Sequence, residues 1–256
     1  MSHAFSLAII AMFVSLPTFA QPAQQPRVFE VASVKLNEDM RTRPSISTSG
    51  ARFTAQAKNI VTLIMYAYNV RYYQVARTKA LGVLEDDRFD ISARSSGDNA
   101  PRTEEFRQML EALLSDRFKL RAHREMREMP VYTLVTGKNG PKFKESPPDT
   151  APGERYAASG RNYVVTLSKA TMDNILVAIE NSYVDRPVLD RTGLQGMYDI
   201  TLTYTPDVKP IRDAGPSPDD ITIFTAVQKQ LGLELVPAKA MVEIIVVDQI
   251  ERPSPN

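Results

Sequence analysis

Side chains that bind metal ions or attack a substrate are scarce in this sequence. The 256 residues include no cysteine and two histidines, His3 and His123. Structural zinc sites use several Cys or His ligands, and catalytic ones usually have three protein ligands, with His prominent among them. A Ser-His-Asp or Cys-His arrangement would depend on His123 alone once a leader is removed. The sequence therefore predicts no metal site and no cofactor.

Carboxylates offer the remaining route to catalysis. Asp87 and Asp90 lie close together in the sequence, and two carboxyl groups held roughly 5 to 10 Å apart can hydrolyse a glycosidic bond. Asp87, however, precedes Arg88 at the start of a predicted strand, where Asp commonly serves turn chemistry and local ion pairing. We therefore keep the pair as the acid pair of an alternative function, a carboxylate-dependent hydrolase, and assign no catalytic residue.

A group of tyrosines is the feature most typical of molecular recognition. Tyr72 and Tyr73 follow a predicted helix that contains Tyr66 and Tyr68. A tyrosine combines a large apolar face with one polar tip, which suits the binding of sugars, peptides or proteins. Tyr66 and Tyr68 cannot share a helix face, so at least one of them is expected to pack in the core. Tyr72 and Tyr73 are the candidates for an exposed recognition patch; the alternative is that they also pack in the core.

A basic strand face is the second candidate for recognition. Alternation of apolar and polar residues along the predicted strand 118–123 places Arg121 and His123 on its polar face. The alternative is a solvated strand face with partly neutralised charges. Combining the two features, we predict a ligand-binding surface made of Tyr72, Tyr73, Arg121 and His123.

The first residues have the pattern of a secretory leader. Residues Leu7–Leu16 are almost wholly apolar and are followed by Pro17. Small residues then allow cleavage after Ala20, with cleavage after Ala23 as the alternative. An apolar run of about ten residues is too short to cross roughly 30 Å of hydrocarbon. We therefore expect a signal peptide over residues 1–20 and an exported protein, either periplasmic or extracellular.

The charge balance limits the partners of the mature chain. The sequence has 31 basic and 30 acidic residues, which leaves a net charge of +1. Such a balance creates no global field that would attract nucleic acid or anionic lipid. After the leader, no apolar run approaches the length of a membrane span. We expect no nucleic-acid partner and no membrane span in the mature chain.

Hydrophobic periodicity predicts four helices and nine strands. An amphipathic helix is clearest over 103–115, where Phe106 and the apolar residues that follow it recur at i, i+3, i+4, i+7 and i+8. Other helices are predicted from Asn59, from Thr171 and after Asp220, the last ending at Gly232. The predicted strands are 28–35, 52–57, 88–93, 118–123, 131–135, 163–167, 197–204, 233–236 and 242–247.

The order of these elements predicts an α+β fold built from two similar β-α-β-α-β-β units, with mixed sheets covered by amphipathic helices. The first unit is predicted to span residues 21–143 and the second residues 161–256, joined by a linker rich in proline and glycine over 144–160. The tetrad Phe89-Asp90-Ile91-Ser92 recurs as Tyr198-Asp199-Ile200-Thr201 at the equivalent place. This recurrence suggests an internal duplication, although short patterns of this kind also coincide by chance.

Many ordered motifs resemble those of one exported protein family. They are Phe29-Glu30-Val31-Ala32-Ser33-Val34-Lys35, Asp87-Arg88-Phe89-Asp90-Ile91, Ser115-Asp116-Arg117-Phe118-Lys119-Leu120, Arg186-Pro187-Val188-Leu189-Asp190-Arg191-Thr192-Gly193-Leu194, Gln230-Leu231-Gly232-Leu233 and Glu251-Arg252-Pro253-Ser254. Together they resemble the "soil-associated" family of soil bacteria, a domain of unknown function, over the whole mature chain. The resemblance implies an extracytoplasmic domain, which some relatives attach to a membrane metallopeptidase sensor. One departure is that residues 75–84 lack the Gly-Pro-x-Trp-Leu turn of the family.

These observations favour a non-catalytic binding or sensor module outside the cytoplasm. The partner is unknown; a cell-wall or glycan ligand and a membrane sensor protein are the two candidates. The alternatives are the carboxylate-dependent hydrolase and a scaffold that pairs with a partner protein through strand edges. An enzyme would require a deep pocket with convergent carboxylates, whereas a binding module requires a groove with aromatic or basic walls.

Overall fold

The computed structural model describes residues 28–253, with the exception of positions 98, 183, 208–214 and 216. The predicted signal peptide and its two predicted cleavage positions, after Ala20 and after Ala23, lie outside the described residues. Within that range, no helix combines the length and the apolar character needed to cross a membrane.

Strands dominate the described part of the chain. They are β1 (Phe29–Leu36), β2 (Ser45–Ser49), β3 (Arg52–Asn59), β4 (Arg88–Ser95), β5 (Arg121–Thr136), β6 (Lys144–Glu145), β7 (Gly153–Ser159), β8 (Asn162–Ala170), β9 (Val188–Asp190), β10 (Tyr198–Tyr204) and β11 (Leu233–Gln249). The helices are α1 (Ile60–Tyr68), α2 (Lys79–Gly82), α3 (Thr103–Arg117), α4 (Met172–Glu180) and α5 (Ile223–Ala226). A 3₁₀ turn, Tyr72–Gln74, follows α1, and a π-helical turn, Val227–Leu231, extends α5.

The strands form three sheets. The first is antiparallel with the order β1-β4-β3-β2, and the second is antiparallel with the order β6-β10-β8-β7. In the third, with the order β11-β5-β9, β5 pairs antiparallel with β11 and parallel with β9. Helices combined with sheets of mixed strand orientation confirm the predicted α+β class.

A long two-stranded ribbon of β5 and β11 joins the two halves of the molecule. It runs from the pair Leu233↔Thr136 to the pair Gln249↔Arg121. The sequence predicted two short strands in place of each long one, because charged residues and Pro130 interrupt the apolar pattern of β5. In the structure this polar stretch continues the ribbon, since Pro130 pairs with the exposed Lys239.

The ribbon contributes side chains to two large hydrophobic cores, and Val131, Val242 and Ile244 form a smaller cluster on the ribbon itself. The first core contains α1, α3 and the first sheet, together with Ile245, Val247 and Ile250 from the end of the chain. The second contains α4, α5 and the second sheet, together with Leu134 and Leu233 from the other end of the ribbon. The last strand therefore belongs to both cores. We call the two halves the first and second lobes; the predicted domain boundaries remain a prediction.

Capping and periodicity explain the helices. The Asn59 side chain accepts a hydrogen bond from the Thr62 backbone N–H (2.9 Å) and starts α1, as Asn at a helix N-cap commonly does. The five apolar residues of the predicted stripe on α3 are all buried, namely Phe106, Met109, Leu110, Leu113 and Leu114. In the fourth predicted helix, Val227 and Leu231 are buried, but Phe224 is partly exposed and packs edge-on against Tyr132.

The two four-stranded sheets share an unusual detail. In each, two residues of one strand lie opposite a single aspartate, which is a β-bulge. Asp90 accepts a hydrogen bond from the Ala57 backbone N–H (2.8 Å), and Asp199 accepts one from the Lys169 N–H (2.8 Å). Ala57 and Lys169 both have positive φ, at 48° and 49°. The recurring tetrads thus occupy equivalent places, while the duplication itself remains a prediction.

The turns that lead into β5 and β11 also correspond. Lys119 follows α3 with φ of 51°, and Gly232 follows the π-helical turn with φ of 68°. Glycine adopts this left-handed conformation without a steric penalty, whereas Lys119 holds backbone strain there. A Cβ atom on Gly232 would lie 2.3 Å from the Gly140 carbonyl oxygen, so only glycine fits at that turn.

Candidate functional site

A cleft of about 530 Å³ lies between the lobes. One wall is formed by the end of α1 and the 3₁₀ turn of the first lobe. The other is formed by the end of α4 and the loop that leads to β9 in the second lobe. Most of the lining is apolar, from Met65, Val70, Val177, Val184 and Pro187. The interlobe cleft is therefore a concave, largely apolar surface to which both lobes contribute.

The wall that carries Tyr72 and Tyr73 is held in place by hydrogen bonds to β11, the outer strand of the third sheet. Helix α1 ends at Tyr68 and is capped by Asn69, whose φ of 52° turns the chain away from the helix axis. The Gln74 side chain then donates to the Glu243 carbonyl (2.9 Å), and the Ala76 N–H donates to the Ile245 carbonyl (2.8 Å). These bonds hold the 3₁₀ turn, and therefore the wall, against the ribbon.

An ion-pair bridge connects the two walls. The guanidinium of Arg71, on the first lobe, donates hydrogen bonds to Glu180 and Asp173, both on α4 of the second lobe. The side chains of Arg71 and Glu180 are 22% and 14% exposed, whereas that of Asp173 is 75% exposed. Burial opposes the charge of Arg71, but the carboxylates of Glu180 and Asp173 together outweigh it and raise the arginine pKa. The pair with Glu180 is the strong part of this bridge.

Glu180 also orders the second lobe. Its other carboxylate oxygen accepts a hydrogen bond from the Val188 backbone N–H (2.9 Å) at the start of β9. Burial, followed by the negative charge of Glu180, raises the pKa of Tyr73 to about 12. The phenol of Tyr73 therefore stays neutral at any physiological pH. One carboxylate thus binds Arg71 and the start of β9 and raises the pKa of Tyr73.

A second charged pair lies at the far end of the cleft. Tyr132 donates its hydroxyl to Asp185 (3.0 Å), and Arg186 Nε donates to the same carboxylate (3.2 Å). The Arg186 guanidinium also lies 5.2 Å from the centre of the Tyr132 ring. Burial raises the Asp185 pKa, but the hydrogen bonds from Tyr132 and Arg186 outweigh it and hold that pKa below its usual value. Asp185 is therefore ionised and already partnered.

The structure brings two of the four predicted surface residues into the cleft. Tyr72 and Tyr73 both line it; Tyr72 is 56% exposed and carries the Arg77 guanidinium 5.0 Å from its ring centre. Arg121 and His123 lie outside this lining, at the first residues of β5. Both are exposed, and His123 Nδ1 lies 2.9 Å from Asp248 Oδ2. The assignment of these four residues to ligand binding remains a prediction.

The two carboxylates of the alternative hydrolase each have partners within the fold. Asp87 accepts a hydrogen bond from Arg252 Nε (2.8 Å). Asp90 accepts from Asn37 Nδ2 (2.9 Å) and from the Ala57 backbone N–H. Both interactions tie distant segments of the first lobe together. Each carboxylate therefore stabilises the fold by binding a distant segment. Its assignment to catalysis remains a prediction.

Sequence reasoning missed the charged residues of the cleft. Arg71 and Glu180 are 109 residues apart, and no local motif marks either of them. The similarity between the two units was the usable signal, because it predicts that α1 and α4 are equivalent helices. Among the described residues, no group of three or more His, Cys, Asp or Glu side chains is placed to hold a metal ion.

The fold and site define a two-lobed α+β domain with an interlobe cleft. Residues 61–250 match the family described as "Protein of unknown function (DUF3738)". The match covers most of the chain, which therefore belongs to this family. No significant match was found among curated proteins, and none among solved structures.

Proposed function

We propose that this protein is an exported, non-catalytic binding module whose ligand occupies the interlobe cleft. The observation that carries the proposal is the cleft itself. Its volume of about 530 Å³ falls in the range of small-molecule sites, which are concave, mainly apolar and furnished with a few polar groups. Tyr72 and Tyr73 supply the amphipathic surface that such a site uses to orient a ligand.

The pairing of the charged wall residues favours binding over hydrolysis. Glu180 binds Arg71, and Asp185 binds Arg186 and Tyr132. A general acid needs a carboxyl group that is protonated near neutral pH, which burial away from cations produces. Asp185 has the opposite environment, since its pKa is lowered. These carboxylates suit a wall that fixes the shape of the cleft.

Export is the second part of the proposal, and it depends on the leader pattern and on the resemblance to the soil-associated family. Expression of the full chain in a Gram-negative host tests it directly. Mass spectrometry of the periplasmic and medium fractions should find a mature N-terminus at Gln21, or at Gln24 after the alternative cleavage. Full-length protein that stays in the cytoplasm would contradict export.

A thermal-shift screen tests ligand binding. Wall fragments, glycans, peptides and antibiotics are added to the mature protein, because a ligand that binds only the native state raises the melting temperature. Tyr72→Ala should abolish the shift. The matched control is Tyr156→Ala, since Tyr156 is also an exposed tyrosine but lies on β7, outside the cleft. A shift that survives Tyr72→Ala would place the ligand elsewhere, and no shift with any class would favour a protein partner.

A further inference from the structure

We infer that the interlobe cleft selects an uncharged oligosaccharide carrying N-acetyl groups and disfavours charged sugars of either sign. The inference rests on the proposed function and adds the chemical class of the ligand. It follows from three features of the cleft: the pairing of its charged side chains, the two polar side chains that remain, and the apolar residues between them.

The charges in the cleft wall neutralise one another. Four charged side chains line the cleft, two basic and two acidic, namely Arg71, Arg186, Glu180 and Asp185. Each acid is bound by an arginine of the cleft lining: Glu180 by Arg71 from the opposite wall, and Asp185 by the neighbouring Arg186. No single sign of charge is therefore left to attract an ion. This arrangement differs from an anion site, where several unpaired cations converge.

The main obstacle to a charged ligand is the pair of Arg71 with Glu180, since the pair of Arg186 with Asp185 is more exposed, at 37% and 65%, and contributes less. Arg71 and Glu180 are mostly buried, so a ligand group that displaced either one would leave its partner charge desolvated. A ligand charge that displaced neither would lie against Val177 and Val184 without a counter-ion, which is unfavourable in an apolar wall. An uncharged ligand has neither of these energetic costs, so the cleft should bind uncharged ligands more tightly than charged ones.

Two uncharged polar side chains remain for ligand recognition. The Tyr72 hydroxyl and the Asn181 carboxamide both line the cleft, and neither forms a side-chain hydrogen bond to another described residue. Tyrosine rings offer an apolar surface to the C–H face of a sugar ring, and their hydroxyls bind sugar hydroxyls. An acetamido group matches the remaining features, since its amide can pair with Asn181 while its methyl contacts Met65 or Val177.

The test is a calorimetric titration of the mature protein with a matched series of disaccharides. N,N′-diacetylchitobiose is the uncharged probe, and its deacetylated form, chitobiose, carries ammonium groups. The disaccharide of N-acetylglucosamine and N-acetylmuramic acid carries a carboxylate, and cellobiose is uncharged but lacks acetamido groups. We expect diacetylchitobiose to bind about tenfold or more tightly than each of the other three, in line with the loss of one hydrogen bond or the desolvation of one charge. The muramyl arm also separates a chitin-type source from a peptidoglycan source.

Two conservative variants locate the interaction. Tyr72→Phe keeps the ring and removes the hydroxyl, and Asn181→Ala removes the carboxamide; each should weaken diacetylchitobiose binding about tenfold. Both side chains are exposed, so the melting temperature should not change. The control is Asn139→Ala, since Asn139 is exposed on another part of the second lobe.

The outcomes separate this inference from the proposed function. Equal or tighter binding of chitobiose or of the muramyl disaccharide would overturn the preference for uncharged sugars. A different ligand whose binding is lost in Tyr72→Ala, with no disaccharide bound, would retain the binding module and overturn the sugar assignment. Absence of binding by every disaccharide and every compound in the thermal-shift screen would overturn both proposals.

Discussion

Replacing Arg71 with methionine should reveal how strongly the bridge across the cleft holds the two lobes together. The substitution keeps an apolar stem of similar length and removes the guanidinium. Glu180 is then left 14% exposed, with the Val188 N–H as its remaining hydrogen-bond donor. Asp173 loses the same partner but is largely in solvent, so its contribution is small.

The size of the effect follows from this burial. A hydrogen bond to a charged group contributes about 1.5–3 kcal/mol, and an exposed ion pair contributes less than about 1 kcal/mol. We therefore expect Arg71→Met to lower the free energy of unfolding by about 2 kcal/mol. Urea unfolding followed by circular dichroism measures it, provided that the slope of the transition does not change.

A double-mutant cycle shows whether the unpaired carboxylate is the cause. Glu180→Gln in the Arg71→Met background removes the isolated charge and keeps an acceptor for Val188, so the double variant should recover part of the loss. The matched control is Arg124→Met, because the pair of Arg124 with Glu243 is about half exposed on both sides. A loss below about 0.5 kcal/mol for Arg71→Met, with no coupling to Glu180, would refute the assignment of the bridge as a strong interaction.

Four further substitutions test the bulge, the two turns with positive φ and the half-buried phenol of Tyr73. Asp90→Ala leaves the buried Ala57 N–H without its acceptor and should destabilise the protein by about 1–3 kcal/mol; an unchanged urea midpoint would contradict this structural role. Lys119→Gly should raise stability by up to about 1 kcal/mol by relieving a positive φ, whereas Gly232→Ala should lower it, because its Cβ meets a carbonyl oxygen; equal effects of the two would contradict the strain argument. The Tyr73 pKa is raised from 10.0 to about 12, so the folded state favours the protonated phenol. The stability that this preference provides is fully present below pH 10 and is lost as the pH rises towards 12. Tyr73→Phe should therefore weaken the alkaline decline in unfolding free energy; a decline of unchanged slope would show that another group causes it.

The local elements could be predicted because their signals are local. The stripe on α3 buries all five of its predicted residues, since a repeat of three and four residues places side chains on one helix face whatever the rest of the fold does. The cap at Asn59 is equally local. The long ribbon was missed for the opposite reason: its middle is polar and contains Pro130, and only pairing with a strand more than 100 residues later shows that this stretch is extended.

For the candidate site too, local features of the sequence predicted some residues, and only the tertiary structure placed the others. Residue type alone marked Tyr72 and Tyr73 as recognition residues, and both line the cleft. Residue type also predicted Arg121 and His123 as part of the ligand-binding surface. Strand alternation, however, predicts only that the two side chains share a face of the strand, and not which distant segment lies beside that face. Their placement outside the cleft lining depends on where the 3₁₀ turn attaches to β11. No periodicity in the sequence encodes that attachment.

The amino-acid sequence by itself determined the helix stripes, the caps, the recurring tetrads and the shortage of metal ligands, because these depend on residue type and on spacing of a few positions. The tertiary structure alone decided that α1 and α4 end at a common cleft and that Arg71 meets Glu180 there. An ion pair between segments 109 residues apart forms only after both cores have folded and partly excluded water, since burial is what makes the pairing of those two charges strong.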